Sequence, residues 1–256
     1  MTSLAEASND VKSQVSPEEW QVRVDLACLY RLVASYGWDD MLFTHLSARV
    51  PGPEHHFLLN PLGMMFEEVT ASSLVKVDAD GNKVMDAPCD INPAGFTIHS
   101  AVHMAREDAH CVMHLHTDDG VAVSAQDAGL MPITQHAMQV GEIAYHDYEG
   151  VALDLDERER IVHDLGDKQF MILRNHGTLT VGGNCADPFM AMYYLERACS
   201  MQIRALAGGV DLCPPPQGTP EKAAEQSTLL FDGTGGALAW PALMRKMDRL
   251  DPSFRD

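Results

Sequence analysis

Stretches that place apolar residues on one helical side alternate along this chain with short apolar runs of strand length. Residues 1–15 are polar and are expected to be disordered. Ser16, followed by Pro17, Glu18 and Glu19, predicts a helix start: a hydroxyl N-cap, proline in the first turn, and acids at the positive end of the dipole. That helix should run to Gly37. "LFTHLSARV" (42–50) and "HFLLN" (56–60) read as strands split by Pro-Gly-Pro. "SLVKVDADGNKVM" (73–85) reads as a hairpin turning at Asp80-Gly81-Asn82. Residues 93–106 predict a helix with Ile98, Ala101, Val102 and Ala105 on its apolar side. The strand "CVMHLHTD" (111–118) follows, then a helix near 118–128, strand-like "EIAYHDY" (142–148) and a helix over 156–165. "QFMILRNHGTLTVG" (169–182) holds two strands and a turn. Asp187-Pro188 is expected to cap the last long helix, which ends near Gly208-Gly209. A Pro- and Gly-rich stretch then precedes a terminal amphipathic helix at 239–250. The mixture predicts one α/β domain over 16–209, helices flanking a central sheet, with 210–256 as an extension.

One strand carries chemistry. Side chains alternate faces along a strand, so Val112, His114 and His116 share one side. Two residues advance a strand by roughly 6.6 Å, so the two imidazoles can lean towards one metal ion. Two histidines hydrogen-bonded in a polar cleft would show the same pattern. His176, where "FMILR" ends in Asn175-His176-Gly177, is the candidate third ligand. Three protein ligands leave a coordination position open, as catalytic metal sites do. His99 and His103, spaced i, i+4, are rivals, but neither lies on the most apolar side of its helix; capping or interface roles are expected. Asp118 and Asp119 suit the start of a helix better than a metal.

Composition narrows the partners. The 256-residue chain is 46% hydrophobic with a formal charge of −19, which argues against nucleic acid and anionic membranes. Six cysteines without a CxxC pair fit a reducing cytosol. Neither a signal peptide nor an apolar run long enough to span a membrane is visible. A cytoplasmic location is therefore expected.

The HxH strand, the later Asn-His-Gly and the order of elements between them resemble the class II aldolase/adducin family. "YGWDDMLFTHLSARV", "EVTASSLVK", "NPAGFTIHSAVHMAR", "HLHTDDGVAVSA", "GEIAYHDYEG", "ILRNHG" and the tail "ALMRKMDRLD" are similar to its adducin-head branch. The resemblance implies a three-layer α/β/α domain with a mostly antiparallel sheet. It also implies a homotetramer, and a divalent metal, zinc first and manganese second, on His114, His116 and His176. The branch holds both enzymes and a cytoskeletal scaffold. Three readings stand: a metal-dependent lyase or decarboxylase, a non-catalytic adducin-like module, and an epimerase or isomerase using the same enolate chemistry.

The chain departs from the sugar-phosphate aldolases of that family. Their catalytic Glu, four residues before the position of His99, is Gly95 here. Their phosphate-binding Gly-Asn-x-Ser, Thr-Gly and Ser-Ser elements read Thr44-His45-Leu46-Ser47, Leu62-Gly63 and Pro93-Ala94. Ser47, Asn60 and Gly63 remain as expected substrate contacts. His45 replaces a substrate-binding Asn, and His136 falls near a catalytic Tyr that acts across a subunit boundary. Either can serve as acid or base near neutral pH, so both are candidate catalytic residues.

Overall fold

The computed structural model describes residues 11–150 and 156–256. Its first long helix, α1 (Pro17–Tyr36), starts where Ser16 accepts a hydrogen bond from the Glu19 amide, and stops at Gly37 in the left-handed region. Residues 11–14, expected to be disordered, form a helical turn, with the Lys12 ammonium 5.3 Å over the Trp20 ring. Residues 1–10 lie outside the described residues.

Among the described residues, seven strands make one sheet in the order β3-β2-β1-β4-β7-β6-β5. They are β1 (His45–Arg49), β2 (Phe57–Leu59), β3 (Val75–Val77), β4 (Cys111–Leu115), β5 (Ala144–His146), β6 (Phe170–Leu173) and β7 (Gly177–Gly182). Every pairing is antiparallel except β5 with β6. The 73–85 hairpin is only half strand, since its return leg is a single bridge from Lys83 to Val77. In register, His45 faces His114 and Ser47 faces Val112, which puts both polar β1 residues on the histidine face of β4.

Helices cover both sides. Over the histidine face lie α2 (Pro93–Ala105) and α5 (Glu157–Leu165), whose Ile98, Val102, Ile161 and Leu165 bury against Val112, Leu179 and Val181. Ala105, expected on that side, is exposed. The opposite face packs on α1 and on α6 (Ala186–Ala207), through Leu26, Leu29, Met192 and Leu195. The start of α6 is satisfied by Asn184, whose Oδ1 accepts from the Ala186 and Asp187 amides; Asp187 itself sits in the first turn rather than capping it. Shorter helices are α3 (Asp118–Ser124), α4 (Gln135–Val140), α7 (Thr219–Gln226) and α8 (Thr228–Phe231). The terminal helix α9 (Thr234–Leu250) starts five residues earlier than its sequence pattern suggests. The 210–256 extension folds back on α1: Phe254 is fully buried, and Arg31 bonds Asp251 at 2.9 Å. Among the described residues, no helix is long and apolar enough to cross a membrane.

Glu196 of α6 is buried, has no ion-pair partner among the described residues, and accepts a hydrogen bond from the Thr117 hydroxyl that caps α3. Burial pushes its carboxyl up to about 7, the Thr117 hydrogen bond opposes, and Asp119 and Asp118 add to the rise. The folded chain thus holds a proton that the unfolded chain releases. This contribution is full below the ordinary glutamate value of 4.5 and is lost as the pH climbs to about 7. Denaturant unfolding should show wild type losing up to about 3 kcal/mol across that window relative to Glu196→Gln. A pH-independent difference between the two would contradict it.

Candidate metal centre

His114 is the last residue but one of β4 and His116 lies just past the strand, while His176 sits in the turn from β6 to β7. Asn175 takes φ +56° to make that turn. Gly177 lets it press against the ligand strand: a Cβ there would collide with the Leu115 carbonyl and crowd the His116 and His114 rings at 3.1 and 3.3 Å. The three rings form a nearly equilateral triangle, with centroids 4.7, 4.8 and 4.8 Å apart. One ligand nitrogen from each lies within 4.8 Å of the others.

The hydrogen-bond partners of the rings fit a cation at this cluster. His114 Nδ1 donates to the Thr178 carbonyl at 3.0 Å, which leaves its Nε2 as a lone pair. His116 Nδ1 lies 3.1 Å from the Asp40 carboxylate, an acceptor that orients the ring with its Nε2 towards His114. The two Nε2 atoms are 3.0 Å apart. Two facing lone pairs repel unless a proton or a metal ion lies between them. Burial, then His176 and His116, hold the His114 pKa well below the ordinary value, and burial with His116 and His146 lowers that of His176 to about 4. Both rings are therefore neutral at physiological pH, the state in which imidazole binds metal.

The triad forms one wall of a cavity of about 280 Å³, also lined by Asp40, Thr44, His45, Gly95 and Tyr148. His45 fills the space of the missing carboxylate: a Cβ on Gly95 would lie within 2.5 Å of the ring's Nδ1. Burial, then His116, brings the His45 pKa down to about 4. Thr44 is a β-branched residue at φ +68°, an outlier of the kind that clusters at ligand sites; its hydroxyl is buried without a partner.

Other expected site residues lie elsewhere. Ser47 is fully buried between His99 and His103, Asn60 bonds the Tyr30 hydroxyl at 3.0 Å, and Gly63 occupies a positive-φ turn. None of the three lines the cavity. His136 is on α4 beside Tyr194, with ring centroids 5.1 Å apart, and also stands apart from it. His99 and His103, expected at caps or interfaces, are each only 1% exposed. Asp118 and Asp119 occupy the first turn of α3. Asp40 went unrecognised in the sequence, because 76 positions separate it from His116 and no local spacing joins them.

A mixed seven-stranded sheet between helical layers, with three histidines converging at strand ends over a cleft, defines the class II aldolase type of domain. The chain belongs to this family: the profile described as "Class II Aldolase and Adducin N-terminal domain" matches residues 24–203. It is 59% identical to a Caulobacter vibrioides protein that carries only a class name, aldolase class 2, over 96% of both chains. The crystal structure of an aldolase II superfamily protein from Pseudomonas syringae shares 52% identity and a TM-score of 0.93, covering 96% of this chain and 100% of that one. Alpha-adducin of Rattus norvegicus is 41% identical over 90% of this chain, which spans 33% of that protein.

Proposed function

We propose that the protein is a metal-dependent lyase that cleaves a carbon–carbon bond, or removes carbon dioxide, in a small non-phosphorylated oxygenated substrate. The observation that carries this reading is the convergence of His114, His116 and His176, with the Nε2 atoms of the first two 3.0 Å apart, on the wall of a substrate-sized cavity. His114, His116 and His176 would hold a divalent ion, zinc first and manganese second. When bound, the ion supplies a Lewis acid that polarises a carbonyl and offsets negative charge as the bond breaks. The chain's own groups do the rest. Asp40 and the Thr178 carbonyl orient two ligand rings, Phe43 and Ile98 line the cavity with apolar surface, and His45 takes or returns the proton.

Sugar phosphates are not the substrate proposed. Pro93 and Ala94 offer no side-chain hydroxyl, and charge-assisted contacts to a phosphate are among the stronger ones a site can make. Little cleavage of fuculose or ribulose phosphates is expected from metal-loaded protein. Robust cleavage would overturn this view of the cavity.

A scaffold role is the second reading, supported by the 41% identity to alpha-adducin. Turnover decides between them. If metal-loaded protein cleaves or decarboxylates none of a panel of small hydroxy-carbonyl and aromatic carboxylate compounds, the scaffold becomes the better account.

We also propose a homo-oligomer, probed as a tetramer. Much of the apolar side of α6 is spent inside the chain, where Phe189, Met192 and Leu195 are buried. The support comes instead from Leu229, Leu238 and Leu250, exposed at 66%, 82% and 64%. Sedimentation should show no stable monomer at micromolar concentration; a monomer would remove His136 from any neighbouring site. The compartment proposed is the cytosol, in keeping with the buried free thiols of Cys28, Cys111, Cys185 and Cys199.

A further inference from the structure

Beside the cavity, the face between β1 and α2 holds a second histidine cluster. The Ser47 hydroxyl is 2.6 Å from His99 Nδ1 and 2.7 Å from His103 Nε2. His103 Nδ1 is 2.8 Å from the Ala109 carbonyl, and its ring stacks on Phe57 at 4.8 Å. All three polar side chains are buried.

Hydrogen-bond chemistry fixes each proton along this line. A carbonyl oxygen only accepts, so His103 Nδ1 carries the hydrogen. Burial pushes the His103 pKa down to about 3; the ring is neutral and Nε2 is a lone pair. Ser47 has a single hydrogen and donates it there. Its oxygen then accepts from His99 Nδ1–H. Burial, with His45 and His103, keeps His99 neutral too, so its Nε2 is left as a lone pair, buried without a partner. The ring next to it is His45, edge-on with centroids 6.0 Å apart, and His45 Nε2 is likewise buried and unpartnered. An unpaired buried polar atom is costly, since it has given up water for nothing. That cost is smaller if His45 presents an N–H rather than a second lone pair beside His99, with one water between them.

We propose that Ser47, His99 and His103 are positioning residues that hold His45 in its Nε2–H tautomer. Its Nδ1, the ring nitrogen that is not buried without a partner, is then the lone pair offered to a substrate proton in the cavity that His45 lines. The functional meaning rests on His45 as the group that moves that proton. The line from Ala109 to His99 stands on its hydrogen bonds, and the step to His45 on the adjacent rings and their two buried, unpartnered nitrogens. Its logic is that of an orienting partner behind a catalytic imidazole, with a neutral His–Ser–His line in place of a carboxylate.

Histidine-selective ¹⁵N labelling with long-range proton–nitrogen correlation reads each tautomer directly, on purified protein before and after metal removal. His103 and His99 should appear as Nδ1–H and His45 as Nε2–H, assigned with His45→Gln and His99→Gln. In Ser47→Ala, His45 should move towards a mixture of tautomers, while Ser47→Thr, which keeps the hydroxyl, should retain the wild-type pattern. Wild-type His99 protonated at Nε2, or His45 protonated at Nδ1, overturns the proposal. An unchanged His45 pattern in folded Ser47→Ala overturns it as well. Should Ser47→Ala not fold, the wild-type spectrum still decides. None of these readouts needs turnover, so a chain inactive on every substrate would count against the lyase alone.

Discussion

His45→Ala should lose at least about a hundredfold in turnover while its metal stays bound, the low end of what a positioned acid or base contributes. The reason lies in how the cavity is filled. Position 95 has no side chain, and the His45 ring occupies the volume that a side chain there would need. The loss should fall on kcat rather than KM, since a proton-transfer group acts in the transition state more than on bound substrate. Gly95→Ala is expected to be nearly as harmful, because its Cβ would force the ring out of place. Adding Gly95→Glu to His45→Ala should recover part of the lost rate, by returning a carboxylate to the emptied space. Near-normal turnover in His45→Ala would mean that the ion acts without a protein base. That outcome would favour decarboxylation, which needs an electron sink but no base to begin.

The second large effect concerns the ion. Wild-type protein should purify with about one divalent ion per chain, and His116→Ala should lose it. With His116 gone, His114 and His176 remain as a pair, too few ligands to hold a catalytic ion against competing chelators. Asp40→Asn is a graded companion. It keeps the shape of Asp40 but weakens the carboxylate that orients His116 Nδ1, and should cost about 10–100-fold in metal affinity. Elemental analysis after dialysis separates these cases. Full metal content in His116→Ala would place the ion elsewhere.

Much of this was legible in the sequence where the chemistry is local. Ser16, Pro17 and Gly37 fix both ends of α1 through hydrogen bonds and backbone angles within a few residues. The spacing of His114 and His116 on one strand face, and the glycine after His176, hold in the fold. Contacts between distant elements were not legible. Asp40 meets His116, and Ser47 meets His99 and His103, only because β1 and β4 pair and α2 crosses their face. His99 and His103 were misplaced because helical spacing marks polar residues as outward, yet a serine on the facing strand satisfies both rings inside. Ser47, Asn60 and Gly63 are expected at the substrate by analogy with aldolase positions, but none lines the cavity: Ser47 bonds His99 and His103, and Asn60 bonds Tyr30.

Crystals grown from cells supplied with zinc and manganese, with diffraction data collected on either side of each metal's absorption edge, test the metal centre most directly. One anomalous peak per chain is expected, about 2.0–2.1 Å from His114 Nε2, His116 Nε2 and a nitrogen of His176, with one side open to the cavity. Three histidines in their present places with no anomalous peak among them, in crystals from metal-replete cells, would contradict the account.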